Sequence, residues 1–159
     1  SGWMLGIMDH PFTVISASKE LGSQGKFTFG SDNVSDDDPT TAWVPDPNGI
    51  EDYPMGTKIV AEGPEYNEAI DILNGYQYST EIFDVNSRIK RIALYVDGQY
   101  WFEVELSDVM GPQKIALPEI NLNMGDGGGS VTIMLEVLEL YPGSKYPEYG
   151  ISGIYTRGG

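Results

Sequence analysis

Two apolar runs joined by Asp97-Gly98 constrain the fold of this chain more than any other feature. Arg88 to Val96 carries Ile89, Ile92, Leu94 and Val96, and Tyr100 to Leu106 returns with alternating character. Side chains on a strand alternate between faces, so such runs read as strands with one buried side. Asp-Gly between them reads as a type I′ turn, which needs positive φ at both central residues. A hairpin therefore sits in the middle of the chain.

The same reasoning places strands at Phe12 to Ser18, Thr57 to Ala61, Ala69 to Leu73, Lys114 to Leu117, Val131 to Leu140 and Ile151 to Thr156. Phe12, Val14 and Ile15 are the expected apolar contacts of the first of these. Between strands the chain is loop-like. Leu21 to Gly30 is rich in Gly, Ser and Lys, with Phe27 and Phe29 as anchors, and Val44 to Gly56 is broken by three prolines and two glycines. Glu65 to Glu68 and Met124 to Ser130 read as turns, Asn74-Gly75 as a turn that tolerates positive φ, and Tyr76 to Ser87 as irregular. No run supports a long helix. The expected fold is all-β, a β-sandwich of about eight strands with long loops.

At 159 residues the chain fits one domain with one sizeable core. Trp3 to Met8 is apolar but is interrupted by His10-Pro11, so residues 1–10 read as an arm or linker remnant and residues 11–159 as the domain. The net charge of −15 argues against nucleic acid and anionic membranes, which attract basic patches. No apolar run is long enough to insert in a bilayer. With no Cys and the single His10 in the arm, a His-based nucleophilic triad is not expected, and a His/Cys zinc site is excluded by count. Enzymatic activity is not expected.

The segment Asn33 to Trp43, NVSDDDPTTAW, carries the densest chemistry. Asp36, Asp37 and Asp38 followed by Pro39 cannot form a regular strand or helix interior. They form an acidic loop that dives into the core through Trp43. Crowded carboxylates repel unless donors or a cation neutralise them, and calcium takes six to eight oxygens, backbone carbonyls included. A solvated acidic turn over a packed Trp is the alternative.

Several ordered stretches carry a family likeness: VISASKEL, NVSDDDPTTAWV, ILNGY, NSRIKRI and YPGSKY followed by ISGI. Together they resemble a discoidin-type (F5/8 type C), galactose-binding-like jelly roll, most similar to bacterial NADase-type glycan-binding modules. The resemblance implies a structural calcium held by Asp36, Asp38, Thr41 and the carbonyl of Asn33. Two positions depart from the family pattern. Asp37 stands where a Gly is usual, and only Asn or Asp among other residues takes positive φ with little strain. Gly153 stands where a Glu usually closes the metal shell.

The resemblance also implies a sugar-binding end built from loops. Sugars need an aromatic ring and a few polar side chains to satisfy their hydroxyls. Tyr53, Asn74, Tyr76, Asn86 and Arg88 are the candidates. Each also has a structural reading: Asn74 in a turn, Tyr76 in packing, Arg88 paired with an acid. The expected function is a non-catalytic carbohydrate-binding module of a secreted or envelope-attached bacterial protein. The rival is a protein-interaction or adhesion module that docks a protein or another domain of the parent chain, helped by an exposed patch around Trp3 to Met8.

Overall fold

The computed structural model describes residues 9–64, 69–117 and 129–157. The expected arm at Trp3 to Met8, the turn at Glu65 to Glu68 and most of the turn at Met124 to Ser130 lie outside them. Eight strands run in order: β1 (Thr13–Ala17), β2 (Thr57–Pro64), β3 (Ala69–Asn74), β4 (Arg88–Val96), β5 (Gln99–Glu105), β6 (Pro112–Ala116), β7 (Ser130–Tyr141) and β8 (Ile151–Arg157). They form a five-stranded sheet, ordered β1-β2-β7-β4-β5, and a three-stranded sheet, ordered β6-β3-β8. Every strand pair within them is antiparallel.

The hairpin takes the form its sequence requires. Asp97 has φ 47° and Gly98 φ 84°, and Val96 faces Gln99 across the turn. Between the sheets, Ile59, Ile92, Leu94, Leu135 and Val137 join Ile70, Ile72, Ile115, Ile151 and Ile154 in one buried cluster. Each such side chain contributes about 1.5–3 kcal/mol of burial free energy. Trp43 sits fully buried in the same cluster. Its backbone exchanges hydrogen bonds with Ile151 (3.0 and 2.9 Å), and its indole donates to the Ser18 carbonyl. Ile15 departs from expectation. Strand alternation, with a bulge between Val14 and Ser16, turns it outward to 56% exposure while Val14 packs on the core.

One short helix escaped the sequence reading. α1 (Thr80–Val85) interrupts the stretch read as irregular, and the Ser79 side chain caps it by accepting from the Ile82 amide. Six residues are too few to show a helical period. At the start of the described chain, Asp9 to Phe12 lie antiparallel to the end of β8. The bonds are Asp9 N–H to Thr156 O (3.0 Å), Thr156 N–H to His10 O (2.8 Å) and Phe12 N–H to Ile154 O (2.8 Å).

Candidate functional site

Two places on the surface carry chemistry. The first is a cavity of about 310 Å³ walled by Leu21, Phe27, Phe29, Val44, Tyr76 and Ile82, with Gln24, Asn86, Tyr146 and Glu148 also lining it. It has its own small apolar cluster, distinct from the main core. Phe29, Tyr76, Phe27 and Tyr78 form an edge-to-face series from inside to surface, with centroids 6.1, 6.3 and 5.3 Å apart and planes within a few degrees of perpendicular. Such ring pairs contribute about 0.5–1.5 kcal/mol beyond their burial. Lys26 finishes the series: its ammonium lies 5.4 Å from the Phe27 centroid and donates to the Tyr78 hydroxyl.

The expected sugar ligands divide between this cavity and the framework around it. Tyr76 and Asn86 line the cavity. Burial, then the neighbouring Tyr78, raises the pKa of Tyr76. The Asn86 amide donates to the Ile82 carbonyl. Arg88, Asn74 and Tyr53 are engaged inside the protein. Arg88 grips Asp108 with two bonds of 2.7 and 2.9 Å, and donates to the carbonyls of Phe83, Asp84 and Asn86, so it also caps the C-terminal end of α1. Its pKa is raised, chiefly by the hydrogen bond to Asp108.

Asn74 is fully buried. Its amide exchanges two 2.9 Å bonds with the backbone of Ile89, as a strand neighbour would. This couples the end of β3 in one sheet to the start of β4 in the other. Gly75 follows with φ 87°, where a Cβ would come 2.8 Å from Arg88 Cγ and 2.9 Å from the Phe83 ring. Tyr53 donates to the Pro147 carbonyl (2.8 Å) and packs beside Tyr149. Burial, then the charge of Glu148, pushes its phenol pKa well up. The lining residues Tyr146 and Glu148 were not singled out from sequence, and Phe27 was read only as a loop anchor. They come from loops far apart in the chain, and only the fold brings them together.

The second place is the acidic loop. A 3-10 turn (Ser31–Val34) leads into it, and Val34 is buried in the main core. Ser35 fastens the loop to the chain entering β1, accepting from Val14 N–H and donating to the Phe12 carbonyl, both at 2.9 Å. Asp37 takes φ 56°, the left-handed conformation foreseen for it. Around the Thr41 hydroxyl converge Asp36 Oδ2 at 2.6 Å, Asp38 O at 3.1 Å and Asn33 O at 3.2 Å. One hydroxyl proton cannot serve three acceptors. The surplus of oxygen lone pairs is the donor set a hard cation takes. Among the described residues no three His, Cys, Asp or Glu side chains cluster as metal ligands, so a cation here would depend on carbonyl and hydroxyl oxygens as well. The Asn33 side chain ties the two places together by donating to the carbonyls of Thr28 and Ala42 (2.8 and 2.9 Å).

Beneath the loop lies Tyr155 of β8, wholly buried. Burial raises its phenol pKa, and the carboxylate of Asp37, then those of Asp36 and Asp38, raise it further. The phenol thus sits against the Asp37 carboxylate, close enough for that contact to raise its pKa further but short of a well-formed hydrogen bond. Tyr155 Oη and Asp71 Oδ2 are the two buried side-chain polar atoms left without a partner among the described residues.

Two antiparallel sheets with the chemistry carried on loops define an all-β sandwich domain of the discoidin type. Residues 9–157 match the NAD glycohydrolase translocation F5/8 type C domain, and the chain belongs to that family. No curated protein matches the sequence. No helix among the described residues is long and apolar enough to cross a membrane.

Proposed function

We propose that this domain is a non-catalytic carbohydrate-binding module of a secreted or envelope-attached bacterial protein, with a structural calcium in the acidic loop. The observation that supports it best is the aromatic cavity. Its rings offer flat apolar faces, while the Asn86 oxygen, the Tyr76 hydroxyl and the Glu148 carboxylate offer acceptors for sugar hydroxyls. A carboxylate acceptor makes the stronger bonds of that set. The family's translocation description supports an exported parent chain and a module without chemistry of its own.

Calcium fits the loop because Asn33, Asp36, Asp38 and Thr41 bring unlike oxygens to one point. When bound, the ion would neutralise the carboxylates and fix the loop. The test is a glycan array probed with and without calcium, alongside Phe27→Ala. Wild-type hits that this variant loses are the expected result, and a blank array in both conditions sinks the proposal.

Docking to another domain or protein is a second reading, favoured by one observation. Val109 (50% exposed) and Met110 (39%) project from a loop that Arg88 pins through Asp108. Retained partner binding in Phe27→Ala and its loss in a Val109→Ser, Met110→Ser double variant would decide for it.

A further inference from the structure

The outward face of the five-stranded sheet would be polar throughout if only water met it, because strand alternation sends the apolar set inward. One row breaks that pattern. Val60 of β2 faces Met134 of β7, Met134 faces Tyr95 of β4, and Tyr95 faces Tyr100 of β5. Residues opposite each other in a ladder share a face, so these four side chains form one line. The bulged Ile15 of β1 extends the line beside Val60. Ile15 and Tyr100 are 56% and 57% exposed, and the three residues between them are half-buried. The Tyr95 and Tyr100 rings meet edge to face, 5.7 Å apart. An apolar line thus crosses all five strands, a span of about 19 Å at the usual strand spacing.

The rows beside the line are acidic. On one side Glu62 faces Thr132, and on the other Glu136 and Glu103 both face Ala93. Glu136 reaches the line itself, accepting from the Tyr95 hydroxyl at 3.4 Å. Lys58, opposite Glu136, is the basic side chain among the described residues of these rows. Lys90 and Arg91, further along β4, are both taken up by Glu139, at 3.8 and 3.1 Å.

We propose that this face docks a basic amphipathic helix of a protein partner. The apolar stripe of the helix lies along the line from Ile15 to Tyr100, and its Lys and Arg side chains lie over Glu62, Glu103 and Glu136. A helix suits the pattern because its polar side chains flank the apolar stripe on both sides. An extended segment would send alternate side chains up into solvent instead of sideways onto the acidic rows. Tyr and Met recur at the centres of interfaces, while charges at the border select the partner. A second copy of this chain does not match. It would set acidic rows against acidic rows in a molecule of net charge −15. The surface is carried on strands, apart from the aromatic cavity, the acidic loop and the Val109–Met110 loop.

The test uses the whole chain and a fluorescent Leu/Lys peptide of helical period, about 14 residues long so that as a helix it spans the line. A Leu/Glu peptide of the same pattern is the control, and binding is read by anisotropy. Three double variants are compared after circular dichroism confirms their fold. Met134→Thr with Tyr100→Thr removes the line while keeping a good strand former. Glu62→Lys with Glu103→Lys reverses the border and leaves the line intact, so it decides the matter should the first pair fail to fold. Glu20→Lys with Glu81→Lys makes the same change of charge away from the sheet. The expected result is binding of the Leu/Lys peptide alone, weakened on the order of tenfold by each of the first two pairs and by less than about twofold by the third. No binding to wild type at millimolar peptide would overturn the proposal. So would wild-type affinity in the Met134, Tyr100 pair, or equal weakening by all three pairs, which is general attraction to an acidic protein. Self-association by sedimentation, or binding to zwitterionic lipid vesicles, that the Met134, Tyr100 pair abolishes would assign the face to a second copy or a membrane and overturn it too.

Discussion

The aromatic cavity and the acidic loop lie at the two ends of one short stretch, Asn33 to Val44, and differ in what they lack. The cavity is complete in itself: Phe29, Tyr76 and Phe27 pack against one another and enclose a space with a few outward acceptors. The loop is short of protons, with several oxygens around one Thr41 hydroxyl. A site built from apolar rings is preformed and waits for a ligand of matching shape. A site with surplus acceptors reaches its final form only when a positive charge arrives. The first should therefore bind with little change in domain stability, and the second should change stability on binding.

The largest expected effect removes the element common to both. Trp43→Ala takes out a fully buried indole between Thr41 and Val44 and should destabilise the domain by about 3–5 kcal/mol. That corresponds to a melting point lower by on the order of 10 °C, read by circular dichroism. Next comes calcium itself. At a hundredfold excess over its dissociation constant, mass action should stabilise wild type by about 2.7 kcal/mol, and Asp36→Asn should abolish that shift.

Phe27→Ala sharpens the contrast from the other side. It should weaken glycan binding on the order of tenfold, through the lost ring face, while the calcium-induced shift in melting point stays intact. If instead it erases the calcium shift, the two regions form one cooperative unit and the distinction between them falls. The smallest effect belongs to Lys26→Ala. Its ammonium over Phe27 is exposed, so the expected loss is about 0.5–1 kcal/mol in stability, measured by denaturant midpoint.

Much of the fold was legible because β-strands announce themselves locally. Alternation and the Asp97-Gly98 turn located most strands to within a residue or two, with β2 running three residues past its expected end to Pro64, and Asp37 took the positive φ that the family resemblance implied. The site was less legible, for three physical reasons. Tyr76 and Asn86 were readable as the right chemical types on loops, but their partners Phe27, Tyr146 and Glu148 are assembled only by tertiary structure. Asn74 and Arg88 carry the same chemistry as ligand-binding residues, and nothing local reveals that one bridges two sheets while the other caps α1. Tyr155 lies in the apolar strand ISGIYT, where an aromatic reads as core. Its contact with Asp37 arises only from the tertiary fold.

The pairing of Asp9 to Phe12 with the end of β8 has a mechanical consequence. Because the two segments run antiparallel, the described chain enters and leaves at the same edge of the sandwich. Tension applied across those ends loads the hydrogen bonds one after another, like a zipper, rather than sharing the force among them in shear. The first bonds to part are those of Thr156 with Asp9 and His10, and the next position reached is Pro11 beside Tyr155. A modest pull across those ends would thus reach Tyr155, beneath the acidic loop, before it disturbed the sheets.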